Sequence, residues 1–445
     1  MPNQTIKIGE YIIIQKQNYK KLHKYSKPDS AISLGRDTVN LKGIEGCPYF
    51  SVFKLIPKTN KKNREYTVEL ADEAVNLKDE INIKASGNDN RNIIDDGSSQ
   101  KLTAADIDTL KSDSLKASNI VETLISNSKT FHNKTEFSQD KYLKKKEKKY
   151  FEYFQILKPN LRIVSEVMYR LEPGKIQNLR IDTLSQIITL TNIHSEGNHL
   201  LYDSGSNGLM AAALLSAIGQ QTNGKLIHMH PGNMSQKQAL LAMNFPEEQM
   251  NRCVSVNVYS ALRQFHQGCD TNITDAKKTA TEINSICTDE NSLKRKCEDG
   301  TANLAKKLKQ ENDESATDND VIEISENFDQ PSENKKPRWH FENIAASEIL
   351  HDKMDSLVIV CKEDPQNIFN ELVALVKPGR PFVVYYSVAE PLQQLYMTLK
   401  SRSNVAALKL TCNWLRNYQV LPERTHPEVM MNGSSGFLLS GYVLK

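Results

Sequence analysis

The first 57 positions alternate apolar with polar residues in short bursts. "EYIIIQK", "RDTVNLKG" and "PYFSVFKLI" are rich in β-branched and aromatic residues, and Gly35, Gly43 and Gly46 punctuate them. This pattern predicts a small antiparallel sheet or barrel over residues 1–57. From Lys58 to about Gln100 the chain turns polar and charged, with Tyr66 as its one aromatic residue. Such a stretch buries too little apolar surface to offset its ordering entropy, so 58–100 is expected to be a disordered insertion. Helical spacing follows. "LTAADIDTLK" opens with Thr103 as an N-cap and Asp106 three residues on. In "SKTFHNKTEFSQDKYLKKKEKKYFEYF" (128–154), helical periodicity puts Leu143, Tyr150 and Phe154 on one side. Lys141, Lys144, Lys145 and Lys148 fall within an arc of roughly 100° on the other. Residues 101–160 therefore read as a helical, lysine-rich connector.

Beyond Asn160, helix and strand alternate. "HLLYD", "GKLIHMHPGN", "VSVNVYS", "MDSLVIVCK" and "PFVVYYS" read as strands. "DTLSQIITLTNIH", "GLMAAALLSAIG", "PQNIFNELVALV" and "EPLQQLYMTLKSRS" read as helices. The alternation predicts a parallel, doubly wound α/β sheet over 161–445, the methyltransferase version of the Rossmann-like fold. A second polar stretch, 269–338, has only Phe328 as an aromatic and is expected to interrupt this domain as a disordered insertion. The end, "HPEVMMNGSSGFLLSGYVLK", reads as a hairpin turning at "NGSSG". It predicts an antiparallel strand at or near the sheet edge around Gly436–Leu444, a natural partner contact because an edge leaves backbone groups unpaired.

Composition adds few constraints. The net charge of +3 says little, because the charges are clustered. Seven cysteines without a CxxC pair argue against a zinc cluster or a disulfide framework and for reduced, intracellular thiols. The start has no signal-peptide pattern, and the longest apolar stretch, around Leu209–Ile218, is too short to span a membrane. A soluble protein is expected.

Candidate chemistry centres on "LLYDSGSNGLMAAALL" (200–215), where a strand runs into a glycine turn and a helix. An S-adenosylmethionine pocket on this fold needs an acidic residue followed by glycines, whose missing side chains let the ligand lie on the backbone. Asp203 and Gly205 are in place, but Asn207 and Leu209 stand at the next two glycine positions, with Gly208 out of register. The second strand should end in an acid for the ribose hydroxyls, and "LIHMHPGN" offers His228 and His230. Losing a charged acceptor costs about 1.5–3 kcal/mol per bond. Cys361 ends the fourth strand where a polar or acidic group is expected, with Asp364 further along. Three departures in one pocket predict lost cofactor binding. His228 and His230 lack a third ligand nearby, so no metal site is expected.

Several stretches together resemble one family. "NSKTFHNKTEFSQDKYLKKKEKKY" (127–150), "LRIDTLSQIITLTNIH" (179–194), "HMHPGN" (228–233), "NYQVLPERTHPEVMMNGSSGFLLSGYVL" (417–444) and the degraded glycine turn are similar to the non-catalytic subunit of the eukaryotic tRNA N1-methyladenosine methyltransferase. That enzyme modifies adenine 58 in the T-loop. The resemblance covers most of the chain outside the two insertions. It implies that this chain binds no S-adenosylmethionine, which a catalytic paralogue would hold instead. It also implies a heterotetramer of two copies of each chain and a tRNA-binding role. By match to "KTEFSQ-x-KY", Lys134, Gln139, Lys141 and Tyr142 become RNA or interface candidates. Arg416, Arg424 and His426 follow from the C-terminal motif, although Arg424 and His426 could equally fix the loop before the hairpin. The lysine face of 141–148 reads either as a strip of phosphate contacts or as an ordinary solvated face. The alternatives to the family reading are an active RNA methyltransferase with an unusual pocket and an RNA-binding assembly factor.

Within the second insertion, "KRKCEDGTANLAKKLK" (294–309) sets Lys294, Arg295 and Lys296 ahead of Lys306, Lys307 and Lys309. Two basic clusters on a spacer suit a nuclear-import receptor, so the nucleus is the expected location. A solvated charge run or an auxiliary RNA contact is the alternative.

Overall fold

The structure, a computed structural model, describes residues 4–17, 19–35, 37–58, 65–71, 87, 99–112, 117–150, 153–268, 337–421, 424–429, 431 and 433–444. The expected import segment 294–309 and most of both expected insertions lie outside them.

Strands β1 (Tyr11–Lys16), β2 (Tyr19–Lys24), β3 (Ala31–Leu34), β4 (Asp37–Asn40), β5 (Val52–Pro57), β6 (Glu65–Ala71) and β7 (Tyr153–Leu157) form the first sheet, in the order β2-β1-β7-β5-β6-β4-β3. Two expectations need correction. Glu65–Ala71 lies inside the stretch expected to be disordered, yet β6 pairs with β5 along its whole length and with β4. Its alternating "EYTVELA" supplies the strand, and the overall polarity of 58–100 hid it. Phe154 is not on the lysine helix: β7 begins at Tyr153, and Phe154 stacks on Phe53 in the barrel core at 5.5 Å. The chain thus leaves the first sheet after β6 and returns to it as β7, so the β domain is not confined to residues 1–57. The sheet curls back on itself, and side chains bridge its ends: Lys21 Nζ donates to Ser33 O, and Lys16 pairs with Asp37.

The helices between β6 and β7 pack as a small unit of their own. Helix Ala104–Ser112 starts with a capping box, in which Asp106 N donates to Thr103 Oγ1 and Thr103 N to Asp106 Oδ2. Helices Ala117–Ser126 and Glu136–Tyr150 then bury Ile120, Val121, Leu124, Ile125, Phe131 and Leu143 together.

The second sheet carries β8 (Asn198–Asp203), β9 (Lys225–His230), β10 (Cys253–Asn257), β11 (Ser356–Val360) and β12 (Pro381–Tyr386) in parallel. Its order is β10-β9-β8-β11-β12-β16-β13, with β13 (Val405–Trp414) and β16 (Ser434–Val443) antiparallel. This is the doubly wound methyltransferase-type sheet that the alternation predicts. Strands such as "SLVIV" are buried on both faces, which is why they are continuously apolar. The C-terminal strand is antiparallel and next to the sheet edge, as expected, but the hairpin is different. β16 lies inside the sheet between β12 and β13, and β13, not the stretch 436–444, forms the edge. Between them the chain makes a separate two-stranded hairpin, β14 (Tyr418–Leu421) with β15 (Arg424–Pro427). The long run "VAALKLTCNW" alternates apolar with polar residues, the signature of a strand with one open face.

The two sheets share a core through β1. Ile12 and Ile14 face the barrel interior, while Ile13, one residue out of phase, packs with the helices of the second domain. Asn244 closes the junction, accepting from Tyr11 N at 2.8 Å and donating to Tyr11 O at 2.7 Å. Among the described residues, no helix is long and apolar enough to cross a membrane.

Candidate functional site

The expected cofactor turn sits at the C-terminal end of β8, where doubly wound sheets bind ligands. Its backbone has the right shape, and its own side chains consume it. Asp203 accepts from Gly205 N at 3.0 Å and Ser206 N at 2.7 Å, and from the Ser206 hydroxyl. The glycine at 205 does keep space open, but Lys362 fills that space. A Cβ built there would lie 2.5 Å from Lys362 Cε, 2.7 Å from its Nζ and 3.2 Å from Gln177 Nε2. Gly208 sits in the left-handed region at φ 76°, under the loop that follows β9, 2.7 Å from Gln236 O by the same measure. Asn207, also left-handed at φ 56°, donates to Gln238 Oε1 at 2.6 Å. Leu209 begins helix Leu209–Ile218 and is wholly buried in the core.

The remaining positions are equally occupied. His230 stands where the ribose acid is needed, and its Nδ1 donates to Gly232 O at 2.8 Å. Burial holds its ring below the usual histidine range. Two residues back on β9, His228 lies 3.8 Å from Asp203 Oδ2, and burial outweighs that carboxylate to push the ring well down. Both imidazoles are therefore neutral near pH 7 and supply no acid. Cys361 is buried and its thiol pKa is pushed up by burial, so it is a neutral filler rather than a nucleophile. Asp364 is spent as the N-cap of helix Pro365–Leu372, accepting from Gln366 N at 3.2 Å. Asn207, Leu209, His230 and Cys361 thus stand where two glycines, a ribose acid and a polar group are expected, and the tip of the exposed Lys362 lies over Gly205. Among the described residues there is no group of three potential metal ligands.

A clamp that sequence reasoning missed follows three residues after Gln177, whose Nε2 lies near Gly205. Arg180 precedes helix Ile181–Leu190 and grips Asp182 through Nε–Oδ1 at 2.7 Å and a second nitrogen to Oδ2 at 2.8 Å. The same guanidinium donates to Gly433 O at 3.1 Å, and Arg180 N donates to Ser435 Oγ at 3.1 Å. Tyr385 Oη donates to Gln177 O at 2.7 Å beside it. An arginine one residue before a helix with aspartate in its first turn was the available signal. Nothing in the sequence announced Lys362, whose role depends on β11 lying next to β8.

The RNA candidates divide. Gln139 is 1% exposed and donates to Phe131 O at 3.0 Å, which removes it from any RNA surface. Tyr142 is half-buried, edge-on to Phe131, with Lys134 Nζ 5.8 Å and Lys146 Nζ 5.1 Å from its ring centre. Lys141 and Lys145 are exposed on helix Glu136–Tyr150 and form no ion pair among the described residues. The side chains of Lys144 and Lys148 lie outside the described residues. Arg416 is exposed in the chain leaving β13. Arg424 opens β15, with its side chain outside the described residues, and His426 bonds Pro427 O through Nδ1 at 2.9 Å. Both belong to a projecting hairpin rather than to a loop before one.

Residues 5–294 match the Gcd10p family. The "tRNA (adenine(58)-N(1))-methyltransferase non-catalytic subunit TRM6" of Mus musculus is 32% identical over 98% of this chain and 88% of its own length. The protein of the same description from Dictyostelium discoideum is 28% identical over 99% of this chain and 79% of its own. Among solved structures, the Aquifex aeolicus tRNA (m1A58) methyltransferase TrmI aligns over 99% of this chain and all of its own, at 11% identity and a TM-score of 0.45. With most of its length matched to these relatives, the chain belongs to the Gcd10p family, that of the non-catalytic subunit of tRNA (adenine(58)-N(1))-methyltransferase.

Proposed function

We propose that this chain is the non-catalytic, tRNA-binding subunit of the heteromeric methyltransferase that makes N1-methyladenosine at position 58 of the tRNA T-loop. The observation that carries the reading is the glycine turn, which keeps the backbone of a cofactor site while Lys362 occupies the space over Gly205. S-adenosylmethionine then belongs to a catalytic paralogue of the same fold, with two copies of each chain in the assembly. Edge strand β13 and the hairpin beyond it favour that pairing. Trp414, Val420 and Val429 there are 69%, 75% and 88% exposed, an unusual outlay of apolar surface for a free rim.

The tRNA contact is assigned to the helical unit, through Lys134, Lys141 and Lys145 around Tyr142, with Arg416 as a second contact. Lysines reach phosphates without reading sequence, so this surface would hold and orient the tRNA while the partner selects the base. The decisive experiment is co-expression with the catalytic paralogue, pull-down, and a tRNA methylation assay on each chain and on the mixture. Activity only in the mixture is expected; methylation by this chain alone would favour an active enzyme, and failure to pair would favour an independent RNA-binding factor. Nuclear import through 294–309 is a separate proposal, supported by its two basic clusters. Changing Lys306, Lys307 and Lys309 to Ala should move a fluorescent fusion toward the cytoplasm in cells depleted of the partner.

A further inference from the structure

The excursion between β13 and β16 is fastened to the body of the domain at the rim of the closed pocket. Arg180 donates to Gly433 O at 3.1 Å, and Leu415 N donates to the same carbonyl at 3.0 Å. The Trp414 ring lies against Gly433, where a Cβ would meet its Nε1 at 2.7 Å. Thr183 Oγ1 bonds Ser435 Oγ at 2.9 Å and Ser435 O at 3.1 Å, and Asn413 donates to Thr183 at 3.2 Å. Both ends of the excursion, 413–415 and 433–435, thus meet on the Arg180–Thr183 turn. Beyond those ends its described residues form a hairpin of four residues per strand, extended by Glu428 N to Asn417 O at 2.9 Å and Asn417 N to Met431 Sδ at 3.1 Å, with Tyr418, Val420 and Val429 exposed. The Arg180–Asp182 pair itself is shielded, with 8% and 25% of the two side chains exposed. A fork held at two points by a carboxylate and presenting a further N–H to the Gly433 carbonyl fixes a direction rather than merely an attraction.

We propose that Arg180 is a positioning residue that sets the partner-binding excursion: the rim of the former cofactor site has become an anchor, and the Arg180–Asp182 clamp holds residues 415–433 in the orientation the catalytic partner receives. This rests on the reading that the chain pairs with a catalytic paralogue through this edge. It goes beyond that reading by assigning the relict rim a task in assembly.

The test uses the full-length chain and its complex with the partner, in Arg180→Ala, Arg180→Lys and Asp182→Asn variants. Hydrogen exchange on the free chain should quicken in 415–433 while β8 and β11 stay protected. Partner affinity should fall by roughly five- to a hundredfold, the range of site-to-site coupling. Lysine should rescue poorly, because it keeps the charge and loses the fork. A further variant separates positioning from folding. Thr183→Cys with Ser435→Cys on the Arg180→Ala background, once oxidised to the disulfide, ties the same two segments together and should restore affinity. Unchanged exchange and affinity in Arg180→Ala would overturn the proposal, as would lost affinity that the formed disulfide does not recover. A wild-type chain that fails to bind the partner would instead refute the functional reading, while the exchange experiment still reports on the clamp.

Discussion

The pocket rim and the helical unit between β6 and β7 make opposite use of polar side chains. Around the glycine turn several polar groups are turned inward onto the chain itself: Asp203 onto its own turn, His230 onto Gly232, Asp364 onto a helix cap and Arg180 onto Asp182 and Gly433. In the helical unit a core of six buried residues supports a surface on which Lys141 and Lys145 have no acidic partner among the described residues. Satisfied groups hold structure, whereas unpaired cations on a rigid support are free to meet phosphates. The contrast is what supports the proposal of a tRNA contact on the helical unit rather than at the glycine turn.

The largest effect separates the two regions most sharply. Deleting 434–445 removes β16, which pairs with both β12 and β13, so the second sheet should fail to fold. The chain should lose cooperative unfolding altogether. A soluble, cooperatively folded truncation would show that β16 is peripheral.

Next is the small core of the helical unit. Leu143→Ala should cost about 2–5 kcal/mol locally, because a buried leucine leaves a cavity. Amide exchange across 117–150 should rise and tRNA affinity fall, with the second sheet unaffected. Protection lost equally in β8 and β11 would mean that the unit is not independent.

Acid should act in the other direction. His199 is fully buried at the start of β8, bonded to Ser356 Oγ and His194 O. Burial lowers its pKa to about 4. The unfolded chain, with its histidines near 6.5, binds protons first as pH falls. Stability is therefore complete above about pH 6.5 and drains away toward pH 4, by roughly 2–3 kcal/mol for this one group. Denaturant titrations at pH 7 and pH 5 should show the loss, and His199→Asn should shrink it. An unchanged pH slope in that variant would assign the effect to other groups.

The smallest effect on stability should be the most telling for binding. Lys141→Ala with Lys145→Ala should leave the melting temperature unchanged, because both side chains are solvated. If both meet phosphates, the slope of log affinity for tRNA against log salt should flatten by about 0.7–0.9 per contact. An unaltered slope would return these lysines to an ordinary solvated face.

Legibility in the sequence followed the same division. The parallel strands were plain because burial on both faces makes them continuously apolar, and the missing glycines at 207 and 209 were visible as letters. β6 was hidden because one alternating strand sat inside a polar stretch, and β13 because two alanines follow its first residue and its register shifts between Ala406 and Lys409, which interrupts the alternation. Phe154 misled because periodicity gives a direction around a helix but not where the helix ends, and Gln139, taken from the motif match, because a motif does not tell which of its residues are buried. Lys362 and Gln177 could not be placed at all, since each meets a residue far away in the chain, and of Arg180 only the nearby Asp182 was legible, not its bond to Gly433. A pocket can lose its cofactor by losing residues, which a sequence reports, or by filling with others, which only packing reports.

The most direct test is calorimetric titration of S-adenosylmethionine into the isolated chain and into its complex with the catalytic paralogue. The closed turn predicts no heat from the isolated chain and one site per partner subunit in the complex. A stoichiometric, micromolar site on this chain alone would mean that Lys362 yields to the cofactor, and the account of a filled pocket would be wrong.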